Sequence, residues 1–135
     1  MKNILFLMLG MSLLSIQAFA KNCKKVQLEV KNSFRLKDEK EPNYMIKVFS
    51  IHYKDGKKWR FENVKNKEID SGKSHTFTEN LEFVGGEKID QFYVKFKIKT
   101  GGKWSKSYKS NFIQAGKKCS DGVKYKLVLA SGKRD

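Results

Sequence analysis

Residues 92–99 read Phe-Tyr-Val-Lys-Phe-Lys-Ile-Lys, with Phe92, Val94, Phe96 and Ile98 at one parity and Tyr93, Lys95, Lys97 and Lys99 at the other. Successive side chains of an extended chain point to opposite faces, so this repeat specifies a strand with one face in a core and one in solvent. Wound into a helix, the same residues would spread lysine around the whole cylinder and leave no apolar stripe. The pattern recurs near the end, where Val123, Tyr125, Leu127 and Leu129 alternate with Lys124 and Lys126, and near the start at Val26, Leu28 and Val30. Half-solvated strands of this kind belong to antiparallel sheets.

The intervening chain fits the same class. From residue 21 onward there are two alanines and one methionine, while Val, Ile and aromatic residues supply most of the apolar side chains, which favours strands over helices. Residues 37–41 form a charged loop closed by Pro42, and residues 44–53 a mostly buried strand. Asp55-Gly56 is a hairpin signal leading into a strand through Trp59 and Phe61. Residues 64–71 are polar and read as turn, ended by Ser71-Gly72; residues 74–83 form a strand carrying Phe77, followed by Gly85-Gly86. Gly101-Gly102 turns the chain into a strand through Trp104 and Tyr108. The expectation is an all-β, immunoglobulin-like, two-sheet antiparallel sandwich of about seven strands, with a small closed β-barrel as the alternative.

The first twenty residues lie outside this scheme. A basic start, an apolar run over residues 4–16 and Ala18-Phe19-Ala20 form the pattern of a secretory signal peptide, too short for a membrane anchor. The expected organisation is a signal peptide, 1–20, and one domain, 21–135, exported to the periplasm or secreted, without a transmembrane span in the mature chain. Ala20-Lys21-Asn22 before Cys23 does not suit lipid modification of that cysteine. Cys23 and Cys119 are the only cysteines, and an even count in an exported chain predicts a structural disulfide closing nearly the whole domain.

Catalytic patterns are sparse. His52 and His75 are the only histidines, and neither sits in a recognisable nucleophile motif. Two histidines and Met45 fall short of the three or four ligands of a metal site, so no metal and no cofactor is expected. Glu62, Glu79, Glu82, Glu87 and Asp90 could be paired for glycoside cleavage, but nothing marks a cleft that would raise one of them. Neither glycine pair is followed by the Lys-Ser/Thr of a phosphate loop.

Charge is the feature above background. The expected domain carries 28 basic and 14 acidic residues, net +14, and the excess is lopsided: 15 against 11 over residues 21–87, but 13 against 3 over residues 88–135. If the last strands are neighbours in one sheet, Lys95, Lys97 and Lys99 with Lys124 and Lys126 form parallel outward rows, with Lys106 and Lys109 nearby, and an anionic partner would relieve their repulsion. A solvated face is the plainer reading, since Lys outnumbers Arg 26 to 3 and edge lysines also protect a sheet from aggregation. An internal echo adds a second candidate: Asp55-Gly56-Lys57-Lys58-Trp59 and Gly101-Gly102-Lys103-Trp104 each set a Lys close to a Trp after a glycine turn. Lys57, Trp59, Lys103 and Trp104 are therefore candidate hairpin-tip residues on a shared recognition edge.

Three functions follow as expectations. The first is an exported, non-catalytic binding module for an anionic envelope or surface ligand, whether polysaccharide, lipid headgroup at a peripheral membrane contact, or acidic protein. The second is a secreted protein-interaction factor, host-directed or inhibitory, using a sheet edge and the Trp/Tyr hairpin tips. The third is an enzyme of unrecognised class. Nucleic acid is expected only as a non-specific polyanion.

Overall fold

The computed structural model describes residues 21–56 and 58–135; the expected signal peptide and Lys57 lie outside the described residues. In chain order the strands are β1 (Lys21–Asn32), β2 (Ile46–Lys54), β3 (Trp59–Ile69), β4 (Ser74–Gly85) and β5 (Gln91–Thr100), then the short β6 (Lys103–Trp104), β7 (Tyr108–Ser110) and β8 (Ile113–Gln114), and finally β9 (Lys124–Leu129) and β10 (Gly132–Arg134). They form two sheets. The smaller has the order β4-β1-β9, the larger β10-β7-β5-β2-β3, with β6 and β8 also paired to β5.

The two-sheet sandwich anticipated from the alternation is the architecture found, with ten strands instead of about seven and its own strand order. Open edges at β4, β9, β10 and β3 distinguish it from a closed barrel. One pairing departs from the antiparallel expectation: β1 and β9 run parallel, from Gln27 beside Lys124 to Asn32 beside Leu129. A short hairpin cannot make a parallel pair, and here the two partners come from the two ends of the domain.

Both inner faces meet in one core. Val26, Leu28 and Val30 of β1, Phe77, Leu81 and Val84 of β4, and Tyr125, Leu127 and Leu129 of β9 pack with Ile46, Val48, Ile51 and Tyr53 of β2 and Phe92, Val94, Phe96 and Ile98 of β5. Phe34, just beyond β1, fills one end, its ring centroid 5.3 Å from Phe96, 5.9 Å from Tyr44 and 6.3 Å from Tyr108. Buried Asn32 ties the sheets together there, its side-chain amide donating to the carbonyls of Tyr44 (2.6 Å) and Ile69 (2.9 Å) while its oxygen accepts from the Phe34 N–H. At the other end Cys23 and Cys119 form a buried disulfide with 6.0 Å between Cα atoms, as the cysteine count predicts.

Bulges set which residues face outward. In β2, Ile46 and Val48 are buried at even positions, then Ile51 and Tyr53 at odd ones, because the register with both neighbours slips between Val48 and Ser50. The extra residue changes the phase of the strand, so Lys47 and Phe49 share the outer face with His52 and Lys54. In β1 a similar irregularity, with Lys25 at φ 52°, lets Cys23 and Val26 both point inward.

Two local expectations are corrected. Residues 64–69 are strand, not turn: Val64 and Ile69 are buried, the backbone pairs with β2, and the exposed charges of Lys65, Lys67 and Glu68 are those of an edge strand. The single strand expected through Trp104 and Tyr108 is split into β6 and β7. Ser105 Oγ accepts the Ile98 N–H and Ser110 Oγ accepts the Val94 N–H, so hydroxyls stand in for ladder carbonyls along this side of β5.

Candidate functional site

The outer face of the larger sheet gathers the chemistry. Across its middle runs a row of rings built by register: Phe61 of β3 opposite His52 of β2, and His52 opposite Tyr93 of β5. His52 stacks on Tyr93 at 4.5 Å and 9° between planes, and on Phe61 at 5.5 Å and 23°. Phe112, in the β7–β8 connection, and Trp59 extend the cluster, each edge-on or tilted against Tyr93 and each other at 5.0–5.9 Å. Tyr93 is buried beneath these neighbours, whereas Phe61, Phe112 and Trp59 remain 59%, 53% and 39% exposed.

Lysines frame the rings. Lys54 Nζ lies 5.8 Å from the Trp59 ring centroid and Lys109 Nζ 5.7 Å from that of Tyr93. Further along the face, Lys47 and Lys99 flank Trp104 at 4.3 and 5.8 Å, and Lys97, opposite Lys47, approaches Phe49 at 6.0 Å. Such cation–ring contacts attract through the ring quadrupole and hold the ammonium groups over the sheet.

Lys95 of β5 and Lys109 of β7 are directly opposite each other, a repulsive placement for like charges. The Asp135 carboxylate bridges them, 2.7 Å from Lys95 Nζ and 3.7 Å from Lys109 Nζ, and accepts from Ser107 Oγ at 3.4 Å. Its carboxyl is held below the usual range, first by the Lys95 hydrogen bond and then by the charges of Lys95 and Lys109. The same two lysines, after partial burial, push the His52 imidazole down to about 4, so it is neutral near pH 7. Its Nε2 is 2.9 Å from Ser50 Oγ.

The sequence-derived lysine set is therefore divided. Lys95, Lys97, Lys99 and Lys109 share the outer face of the larger sheet. Lys124 and Lys126 do not; the rows expected to be adjacent lie in different sheets, because β9 pairs with β1 instead of joining β5 and β7. There they line a groove of about 600 Å³ with Lys117, Gln27 and Glu29, where Glu29 sits directly opposite Lys126 and offsets its charge. Lys106 is exposed between β6 and β7. Lys47, Lys54 and Lys133 were missed, although Lys133 pairs opposite Lys109. Only the β2 bulge, invisible to a strict period of two, brings Lys47 and Lys54 to one face.

The two hairpin tips are not one edge. Trp59 lies level with Lys54 and Gln91, at the start of β5, whereas Trp104 pairs opposite Lys99 at its end, eight residues or about 26 Å away. Lys103 stays exposed beside Trp104. Both tryptophans nonetheless belong to the same outer face, with the lysines between them.

Other candidate groups are engaged elsewhere. Glu62 accepts the Tyr53 hydroxyl at 2.8 Å, and burial with that bond pushes the phenol well above its usual range. Burial, with the charge of Glu62, raises the Glu79 carboxyl. His75 packs edge-on against Phe77 at 4.7 Å. Among the described residues no three His, Cys, Asp or Glu side chains gather where they could hold a metal ion, and no helix is long and apolar enough to cross a membrane. No family model matches the chain, and no curated protein and no solved structure shows significant similarity to it.

Proposed function

We propose that this chain is an exported, non-catalytic binding module whose ligand is an anionic surface, met by the outer face of the larger sheet. The observation that carries the reading is the convergence of Lys47, Lys54, Lys95, Lys97, Lys99 and Lys109 from β2, β5 and β7 on one face around exposed rings. Opposing lysines repel, and a protein that keeps them together is set up to be relieved by an anion from outside. Asp135, seated between Lys95 and Lys109, is an internal carboxylate already doing this. The buried disulfide fits a non-reducing compartment, in keeping with a signal-like start to the chain.

The test is charge reversal matched for net charge. Lys95→Glu with Lys97→Glu on the larger sheet is expected to abolish low-salt retention on anionic surfaces, while Lys124→Glu with Lys126→Glu on the smaller sheet leaves it largely intact. Equal losses from both pairs would mean that overall charge, and no particular face, does the binding. The second reading, a protein-interaction factor, is favoured by exposed Trp59 beside the free edge of β3. It takes precedence if both reversals are silent and Trp59→Ala removes capture of a protein partner.

A further inference from the structure

The lysines account for an anion but leave the rings unexplained. Phe61 and Phe112 are more than half exposed and carry no polar atom, and with Trp59 they form one connected cluster through His52 and Tyr93. Single exposed apolar residues are ordinary, but a contiguous apolar patch rimmed by charge marks a contact surface.

The chemistry of the patch selects among anionic partners. A single-stranded nucleic acid would want ring faces offered in succession, and here Trp59 and Phe112 are packed edge-on or tilted against Tyr93, at 67° and 78°. A soluble polyanion would be satisfied by the lysines alone and would gain little from two phenylalanines. A lipid surface uses both: apolar rings enter the headgroup and upper acyl region, Trp settles at the polar boundary, and lysines reach anionic headgroups while their hydrocarbon stems stay near the interface. Lys54 beside Trp59 and Lys109 beside Tyr93 have this placement.

We infer that the outer face of the larger sheet docks peripherally on an anionic phospholipid bilayer, with Phe61, Phe112 and Trp59 entering the interface and the surrounding lysines neutralising headgroup charge. This rests on the basic-face reading above and deepens it by naming the partner. Neither element suffices alone, because stable surface attachment takes two signals, one apolar and one electrostatic.

The experiment uses the purified disulfide-bonded protein with vesicles of phosphatidylglycerol and phosphatidylcholine, with pure phosphatidylcholine, and with single-stranded DNA and a polyuronate as lipid-free polyanions. Trp104→Phe leaves Trp59 as the sole tryptophan and so a reporter at the patch. Lipids brominated in their upper acyl chains are expected to quench Trp59 in phosphatidylglycerol vesicles and not in pure phosphatidylcholine. Phe61→Ser with Phe112→Ser, chosen because both rings are already exposed, is expected to weaken vesicle binding by about tenfold or more without altering the melting temperature. Vesicle binding with Trp59 unquenched, or undiminished in the double serine variant, overturns the inference while the basic face stands. Binding to DNA or polyuronate but not to vesicles does the same. Failure to bind any of these at low salt overturns both readings.

Discussion

Removing the Cys23–Cys119 bond tests how the two ends of this domain are held. The bridge spans 96 positions, so in the oxidised unfolded state it closes a loop covering most of the described chain. Loop-closure entropy for that length comes to about 4.7 kcal/mol at 25 °C. For a domain of roughly 115 residues, with an unfolding entropy of about 0.24 kcal/mol/K, the loss corresponds to about 20 °C in melting temperature. Both sulfurs are buried in the core, so the Cys23→Ala, Cys119→Ala double variant also leaves a small void. The native fold should persist in outline, because β1 keeps its ladders to both β4 and β9. Thermal and urea melts of the native and double-alanine proteins, with mass analysis showing the native chain two hydrogens lighter than its reduced form, measure the effect. A shift below about 5 °C would refute the reasoning, since it would mean that the unfolded ensemble gains almost no freedom when the tie is cut.

Three further predictions address the site and the join between sheets. The folded value of His52 lies below its ordinary 6.5, so the unfolded chain takes up a proton first as pH falls; the associated stability is fully present above pH 6.5 and is lost towards pH 4. After discounting for partial exposure this is about 1–2 kcal/mol, and His52→Phe, which keeps a ring in the row, should show a smaller drop in melting temperature between pH 7 and 4.5 than the native protein; an identical drop would count against it. Asp135→Asn should leave the melting temperature nearly unchanged and raise the salt needed for elution from a cation exchanger more than Glu41→Gln, an equal change in net charge in the loop before β2; an equal rise for both would remove Asp135 as an occupant of the Lys95–Lys109 pair. Asn32→Leu should cost about 2–4 kcal/mol in urea unfolding, because the Tyr44 and Ile69 carbonyls lose their donor in a buried site, and a near-neutral result would show that the two sheets do not depend on this tie.

Several features were legible because they depend on local pattern alone. The period of two at residues 92–99 and 123–129 gave the strands and their inner faces, and Asp55-Gly56 and Gly101-Gly102 gave their turns, with positive φ at Gly56, Gly101 and Gly102. The β2 bulge was not legible. Ile46, Val48, Ile51 and Tyr53 lack a single parity, and only pairing with β3 and β5 shows that the chain changes phase between Val48 and Ser50. Residues 64–69 were misread as turn for the opposite reason: an edge strand presents charges to solvent on most of its positions, and its two buried anchors, Val64 and Ile69, are five residues apart.

What the sequence by itself determined is the class of the fold, the disulfide pair and the parity of lysine and apolar side chains along each strand. Side-chain alternation and a count of two cysteines need no knowledge of neighbours. Tertiary structure alone decided which lysines are together. Parity puts Lys95 and Lys126 on the outside of their strands equally well, but β5 was placed in the larger sheet and β9 beside β1 in the smaller, so their outer faces look away from each other. The same placement brought His52, Phe61, Trp59 and Phe112 around Tyr93 from separate segments of chain. Which strands pair is settled by how two apolar faces best close one core, a sum over the whole chain that no local stretch contains.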